Sequence, residues 1–504
     1  MKRRLKSSIF LAVLVYIASA DEADEPVNLN RYTQTPDVEP AYCSATEHLC
    51  PTYVSPDRTC WGYEDDCSES RRFSRPHCEP PPQPWAKTME EKVEKFWTTA
   101  DFGYVKTFKE ELKTYCKSKK KGGSSLKCST NLRYCRARHI YIDFRAIKFE
   151  DSKERFRENV FKEGDIGGFC DMNKESLSRQ GGHKSALQSW FAELEMFTSL
   201  SFKPNNKKHC DVILTRPVVF MKLDAGINMF HHFCDFVNLY ASQHLNGSFS
   251  RDIDIIMWDT SEMGYGDFFE DTWKVFTQHG ERPKRISDYK GKRVCAQDAM
   301  FPLLPRQRLG LYYNMPVVAG CSASGLFKAF CDHVIRRLGI EQNGPTHQIR
   351  VTLLDRNSKF RRILNQNELV TRLKTIGEYN VTVVEYDWRK MTFIQQLRYT
   401  YNSDVFICMH GAGLAHGLFL PDWATLFELY NCDDKNCYYD LARLRGVNYV
   451  TWEKSDKVYP QDEGKHPQTG GPHAKFTNYS FDVDEFLRLV DKAADMVKKR
   501  LGRD

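Results

Sequence analysis

Residues 349–450 constrain the fold of this chain more than any other stretch. Short apolar runs at 349–354, 381–384, 404–410, 426–429 and 447–450 alternate with amphipathic stretches at 365–376, 393–401, 414–420 and 438–444. The first set reads as strands and the second as helices. Such regular alternation predicts a doubly wound parallel sheet, because parallel neighbours need a helical crossover between them. The third strand is the most informative. It stops at His410 and turns through Gly411-Ala412-Gly413 into a helical stretch. A junction of this kind presents unpaired backbone N–H groups and the positive end of a helix dipole, which favours a bound phosphate. On its own a Gly-x-Gly turn is common; its neighbours add weight.

Arg356 follows the first of these strands directly and Arg361 and Arg362 lie just beyond. Ligands of open α/β sheets bind at the carboxyl ends of strands, and a guanidinium fork suits a diphosphate. Arg356 and Arg361, rather than Arg362, are expected to fill that role. Glu428 ends the next strand, where an acid can hydrogen-bond a ribose. Further upstream, Asn228-Met229-Phe230-His231-His232-Phe233-Cys234-Asp235 opens a helix running to about residue 240. His231 and Asp235 are four residues apart and share a helix face, so a carboxylate-held general base is expected there. Asp252-Ile253-Asp254 has the D-x-D form that holds a divalent metal in many sugar transferases, but it leads into an apolar strand and reads better as a strand entry. Asp259, at the exit of that strand, is the stronger site carboxylate. The P-loop, nucleophile-elbow and H-E-x-x-H motifs are absent, which argues against ATPase, serine hydrolase and zinc protease chemistry.

The rest of the chain sets compartment and organisation. Residues 1–20 read as a signal peptide: Lys2, Arg3, Arg4 and Lys6 precede a short apolar core and an Ala18-Ser19-Ala20 cleavage site. The core is too short to span a bilayer comfortably. The 17 cysteines fit an oxidising compartment. Irregular spacing in the cluster Cys43, Cys50, Cys60, Cys67 and Cys78 favours disulfides over zinc. The odd number leaves at least one cysteine over, and Cys408, inside an apolar strand, is the expected buried thiol. Cys432 and Cys437 flank a polar loop that a local disulfide would close. Asn246, Asn380 and Asn478 stand in N-x-S/T sequons. A net charge of +7 over 504 residues, without a basic stripe, does not point to nucleic acid. The expected units are a Cys-rich segment over 21–135, helical from about 86, a Rossmann-like acceptor-side unit over 136–340, a nucleotide-sugar-binding unit over 341–480, and a C-terminal helix over 481–504 packing across both.

Several segments together resemble one family. They are Met257-Trp258-Asp259-Thr260-Ser261 with Gly264-Tyr265-Gly266-Asp267, Asp271-Thr272-Trp273, Leu364-Asn365-Gln366-Asn367-Glu368-Leu369, the His410 to Leu414 turn, Phe419-Leu420-Pro421-Asp422-Trp423, Phe427 to Cys432 and Lys475 to Phe481. The pattern is similar to that of the EGF-domain-specific O-GlcNAc transferases over nearly the whole mature chain. A more distant likeness, to the O-mannose β-1,4-GlcNAc transferase acting on dystroglycan, rests on Asn228, His231, Asp235, Arg361 and the His-Gly-Ala-Gly turn. The resemblance implies an inverting α/β enzyme of the GT-B type in the endoplasmic reticulum lumen. It would move N-acetylglucosamine from UDP-GlcNAc to Ser or Thr of folded EGF-like repeats. Arg356, Arg361 and the turn would serve the leaving UDP, with Asn228 and His410 also at the donor; the base would be one of His231, His232, Asp235 or Asp259. Two departures stand out. The acidic triplet of many relatives is replaced by Phe276-Thr277-Gln278-His279-Gly280, which leaves a divalent metal such as Mn2+ an open cofactor. The chain closes on Leu501-Gly502-Arg503-Asp504 where relatives carry a KDEL-like signal. The competing readings are a relative with an O-mannosyl glycan acceptor, a non-catalytic glycoprotein binder, and a nicotinamide oxidoreductase. The last is disfavoured by His416, where the dinucleotide fingerprint wants Gly or Ala.

Overall fold

The computed structural model describes residues 60–62, 67, 72–74, 76–81, 83–183, 185–263, 266–279, 282–307, 309–313, 318–430 and 436–503. The expected signal peptide, Cys43, Cys50 and Cys432 lie outside them. Two sheets organise the chain. The first is built from β1 (Lys113–Ser118), β2 (Ser125–Cys128), β3 (Cys135–Asp143), β4 (Cys170–Met172), β5 (Val212–Leu214), β6 (Val218–Met221), β7 (Asp254–Met257), β8 (Lys284–Arg285) and β9 (Arg293–Phe301), with two further short strands branching off. Its main path runs β8-β7-β6-β9-β3-β2-β1-β4. Strands β6 to β9 are parallel, whereas β3, β2, β1 and β4 are antiparallel.

This corrects two expectations. The stretch from 86 is helical only through α1 (Met89–Ala100) and α2 (Phe102–Glu110), and the first sheet already begins at Lys113, upstream of residue 136. The reason lies in short connections. The Gly122-Gly123 turn and the Cys128–Cys135 disulfide leave no room for a crossover helix, so these strands pair antiparallel and make the sheet mixed rather than Rossmann-like throughout.

The second sheet matches its sequence pattern. Strands β10 (Ile349–Asp355), β11 (Tyr379–Glu385), β12 (Val405–Met409), β13 (Thr425–Leu429) and β14 (Asn448–Thr451) are all parallel, in the order β11-β10-β12-β13-β14. Helices α3 (Met229–Asn246) and α4 (Gly325–Arg337) precede it; α5 (Gln366–Lys374), α6 (Phe393–Tyr401), α7 (Cys437–Arg445) and α8 (Val483–Leu501) belong to it. Phe486, Leu489, Val490, Ala493, Ala494 and Val497 recur at helical spacing and bury α8 against α5 and the second sheet. The helix therefore covers that sheet and does not bridge the two halves, because its single apolar stripe is used up there. What joins the halves is α3, buried nearly all round: Phe233 packs on Phe393 and Phe419 of the C-terminal half.

Disulfides link Cys60 to Cys67, Cys78 to Cys321, Cys116 to Cys170, Cys128 to Cys135 and Cys210 to Cys295. Cys408 is a buried free thiol, pushed up to about 12 by burial, and Cys234 and Cys331 are free as well. No helix among the described residues is long and apolar enough to cross a membrane.

Candidate active site

In the second sheet the chain runs outward in one direction from β10 to β11 and in the other from β10 to β12. The crevice at the carboxyl ends of β10 and β12 is thus the switch point where such sheets take ligands. Gly411 stands there with φ +154°, ψ 178°, a conformation open essentially to glycine alone. A Cβ on Gly411 would lie 2.8 Å from Arg356 Nη1 and 3.1 Å from Arg361 Nη1, so both guanidiniums converge on this one backbone position. Arg361 is held there by its backbone at φ +61°, by its N–H to Thr477 O (2.7 Å) and by Nη1 to His410 O (2.9 Å). Arg356 is braced by Nε to Phe360 O at 3.0 Å. The Arg362 side chain does not join them; its residue is exposed and its backbone N–H goes to Asn478 Oδ1.

After Gly411 comes the expected helical stretch, as a 3₁₀ helix over Ala412–Phe419. Glycines at 411, 413 and 417 have low α propensity, and the first internal bond already closes three residues back, from Leu414 N to Gly411 O. The N–H groups of Ala412 and Gly413 precede that bond and open the helix toward the crevice. Glu428 also takes a different part from the one expected. Its buried carboxylate accepts from His410 Nδ1 on one oxygen and from Tyr449 OH on the other, each at 2.5 Å. With both oxygens taken it orients the His410 ring instead of offering itself to a ribose.

The opposite wall is the start of α3. Asn228 caps it, Oδ1 accepting from Phe230 N at 3.1 Å. His231 does not pair with Asp235. Its Nδ1 lies 2.8 Å from Asp224 Oδ2, and Arg306 grips the same carboxylate at 2.7 and 2.9 Å. Burial would raise Asp224, but the bonds from His231 and Arg306 outweigh it and keep the carboxyl below its ordinary value. Asp235 instead accepts the Asp224 backbone N–H and faces His232 Nδ1 at 3.3 Å; His232 Nε2 lies 3.2 Å from Asp267. Burial pushes Asp235 up to about 6 and pulls His232 down, yet the carboxylates around His232 prevail and raise it to about 9. Both side chains are fully enclosed, so neither reaches a substrate. Asp259 is excluded as a base on the same ground: it is buried against Arg155 Nε at 2.5 Å, and Arg155 also binds Leu223 O, bracing the loop that carries Asp224.

The Glycosyltransferase 61 family model matches residues 183–427, a span that takes in both walls. The chain is similar to curated EGF domain-specific O-linked N-acetylglucosamine transferases. That of Xenopus laevis is 52% identical over 93% of this chain and 88% of its own length, and that of Gallus gallus 53% over 89% and 83%. The Drosophila melanogaster protein is 47% identical over 87% and 84%. The chain belongs to the EGF domain-specific O-linked N-acetylglucosamine transferase family.

In this family member a cavity of about 430 Å³ separates the walls. Ile227, Met229 and Phe269 line one side, Arg356, Ala412 and Gly413 the other. Phe268 stacks on the half-exposed Trp388 across it, centroids 5.0 Å apart. Phe230 touches both His231 and Tyr438, and Tyr438 touches His410, so the two histidines stand on either side of an aromatic bridge. His416, on the cavity wall, is held neutral: burial drops it to about 3. The D-x-D carboxylates lie at the far, entry end of β7, where Arg216 holds Asp254 at 2.8 Å and His279 holds Asp252 at 2.9 Å. They do not fit a metal at this cavity, and no three His, Cys, Asp or Glu side chains cluster for one among the described residues. Among the sequons, Asn246 is half-buried at the end of α3 and Asn380 is exposed on β11. Asn478 is buried, with Nδ2 on Gln461 Oε1 (2.9 Å), and has no room for a glycan. Sequence reasoning missed Asp224, Arg306, Asp267, Arg155 and Tyr449, because each acts through a partner remote in the chain or across a turn.

Proposed function

We propose that this chain transfers N-acetylglucosamine from UDP-GlcNAc to a Ser or Thr hydroxyl of folded EGF-like domains, with inversion at the anomeric carbon. The family relationship supports the activity. The convergence of Arg356 and Arg361 on Gly411 carries the assignment of the donor site: two cations and the N–H groups of Ala412 and Gly413 meet where a departing diphosphate needs charge compensation. The two halves, 136–340 and 341–480 with the first sheet extending upstream, form the acceptor and donor sides of a GT-B arrangement around the cavity. Residues 1–20 direct the chain to the endoplasmic reticulum lumen, in keeping with its disulfides.

His231 is the general base. Asp224 accepts its Nδ1–H, which fixes the tautomer with the basic lone pair on Nε2 and stabilises the imidazolium once a proton arrives. His231 removes the acceptor hydroxyl proton as that oxygen attacks C1 of the sugar. The bond from C1 to the β-phosphate oxygen breaks on the opposite face, and Arg356 and Arg361 receive the UDP. The test is incubation of the purified protein with UDP-GlcNAc and a folded EGF repeat, with and without EDTA. A gain of one N-acetylhexosamine is expected, and it should persist in EDTA because the guanidiniums supply the cationic charge. No gain on the repeat, or gain only on an O-mannosyl glycan, refutes the acceptor reading; loss in EDTA refutes the metal-independent donor site.

A further inference from the structure

One face of the second sheet packs on α5 and α8; on the other, the 412–419 helix and α7 pack against β12, β13 and β14 and leave β10 and β11 beside an open groove. Beside that groove, register pairs Arg350 with Asn380 and Thr352 with Thr382, so all four side chains lie on the same face of β10 and β11. Together with Arg398 and Tyr399 of α6 they line an open groove of about 660 Å³, within the roughly 300–1,000 Å³ of pockets that hold small ligands. The lining is amide, hydroxyl, guanidinium and the Glu341 carboxylate around one exposed aromatic ring, Tyr399 at 44%, with Arg350 ion-paired to Asp404 and the Thr352 hydroxyl bonded to Ser403. That is the chemistry that holds a pyranose: hydrogen bonds to its hydroxyls and an apolar ring against its C–H face.

Asn380-Val381-Thr382 is itself a sequon, and its acceptor amide stands inside this groove. Asn380 is exposed and its side-chain amide makes no hydrogen bond among the described residues, the opposite of Asn478. Strand β11 is also an edge, paired on one side only, with Val383 38% exposed. An uncovered edge of this kind invites pairing with another chain, and natural sheets shield it.

We propose that Asn380 carries an N-linked glycan whose first N-acetylglucosamine lies in this groove. This rests on the lumenal location proposed above. The co-reactant is a lipid-diphosphate oligosaccharide. Asn380 Nδ2 bonds to the anomeric carbon of its first sugar, the bond from that carbon to the diphosphate oxygen breaks, the lipid diphosphate leaves, and one amide proton is lost to a base. Thr382 supplies the hydroxyl that the modifying enzyme requires.

The full chain would be expressed in animal cells, recovered, and mapped by mass spectrometry before and after peptide N-glycosidase. Asn380 is expected glycosylated and read as Asp after release. Release from the folded protein should be slower than from the denatured protein, because the seated sugar is shielded. Equal rates would overturn the seating. A bare Asn380 on a chain with residues 1–20 removed and disulfides formed would overturn the modification. A chain that keeps residues 1–20 and reduced cysteines would overturn the lumenal reading, and this inference with it.

Discussion

Gly411 shows how much one residue holds. Its backbone sits where other residues are strained by about 1–3 kcal/mol, and an added Cβ would also press on both guanidiniums. Gly411→Ala is therefore expected to weaken UDP-GlcNAc binding roughly tenfold or more, and Arg361→Ala to weaken it by about 1.5–3 kcal/mol as a charge-assisted contact is lost. Calorimetric titration with UDP checks both; unchanged affinity in either variant would refute the diphosphate cradle. For His231→Ala, kcat should fall about 10²–10⁴-fold, the usual worth of a general base, with donor affinity kept. The arginines beside the turn could be picked out from sequence because they follow a strand end directly. The partner of His231 could not. Asp235 shares its helix face by spacing, but Asp224, in the loop before the helix, lies nearer once β6 and α3 fold together.

At the scale of elements, periodicity named nearly every strand and helix of the second sheet, because each is a local pattern with one apolar face. It failed where tertiary constraints override propensity. The disulfide-tied antiparallel strands after Glu110 are such a place. The Cys78–Cys321 bridge pins the N-terminal strand at residues 77–78 to the one at 321–322, just before α4. Replacing both cysteines with serine should cost about 2–5 kcal/mol, read as a drop in denaturation midpoint. No shift would mean that the strand pairing alone holds this segment.

Over the whole molecule, the halves meet through α3, and a buried His232–Asp235–Asp267 network sits at that junction. His232 is raised to about 9 in the folded state, above its ordinary value of 6.5. Its contribution to stability is then fully present below pH about 6.5 and lost as pH rises through about 9. The melting temperature should fall over that window, and fall less in Asp267→Asn, which removes the largest charge that raises His232. A profile equally steep in both proteins would contradict this.

The sequence by itself determined the alternation of elements in the C-terminal half, the phosphate-friendly turn, its two arginines and the family, since all of these are written in local runs of residues. Only the tertiary structure decided which carboxylate holds His231, that Glu428 serves His410, that Asp259 and the D-x-D pair are engaged elsewhere, and that one sequon is buried. Those outcomes depend on contacts between residues far apart in the chain, and local periodicity carries no information about which distant groups packing will bring within hydrogen-bond reach.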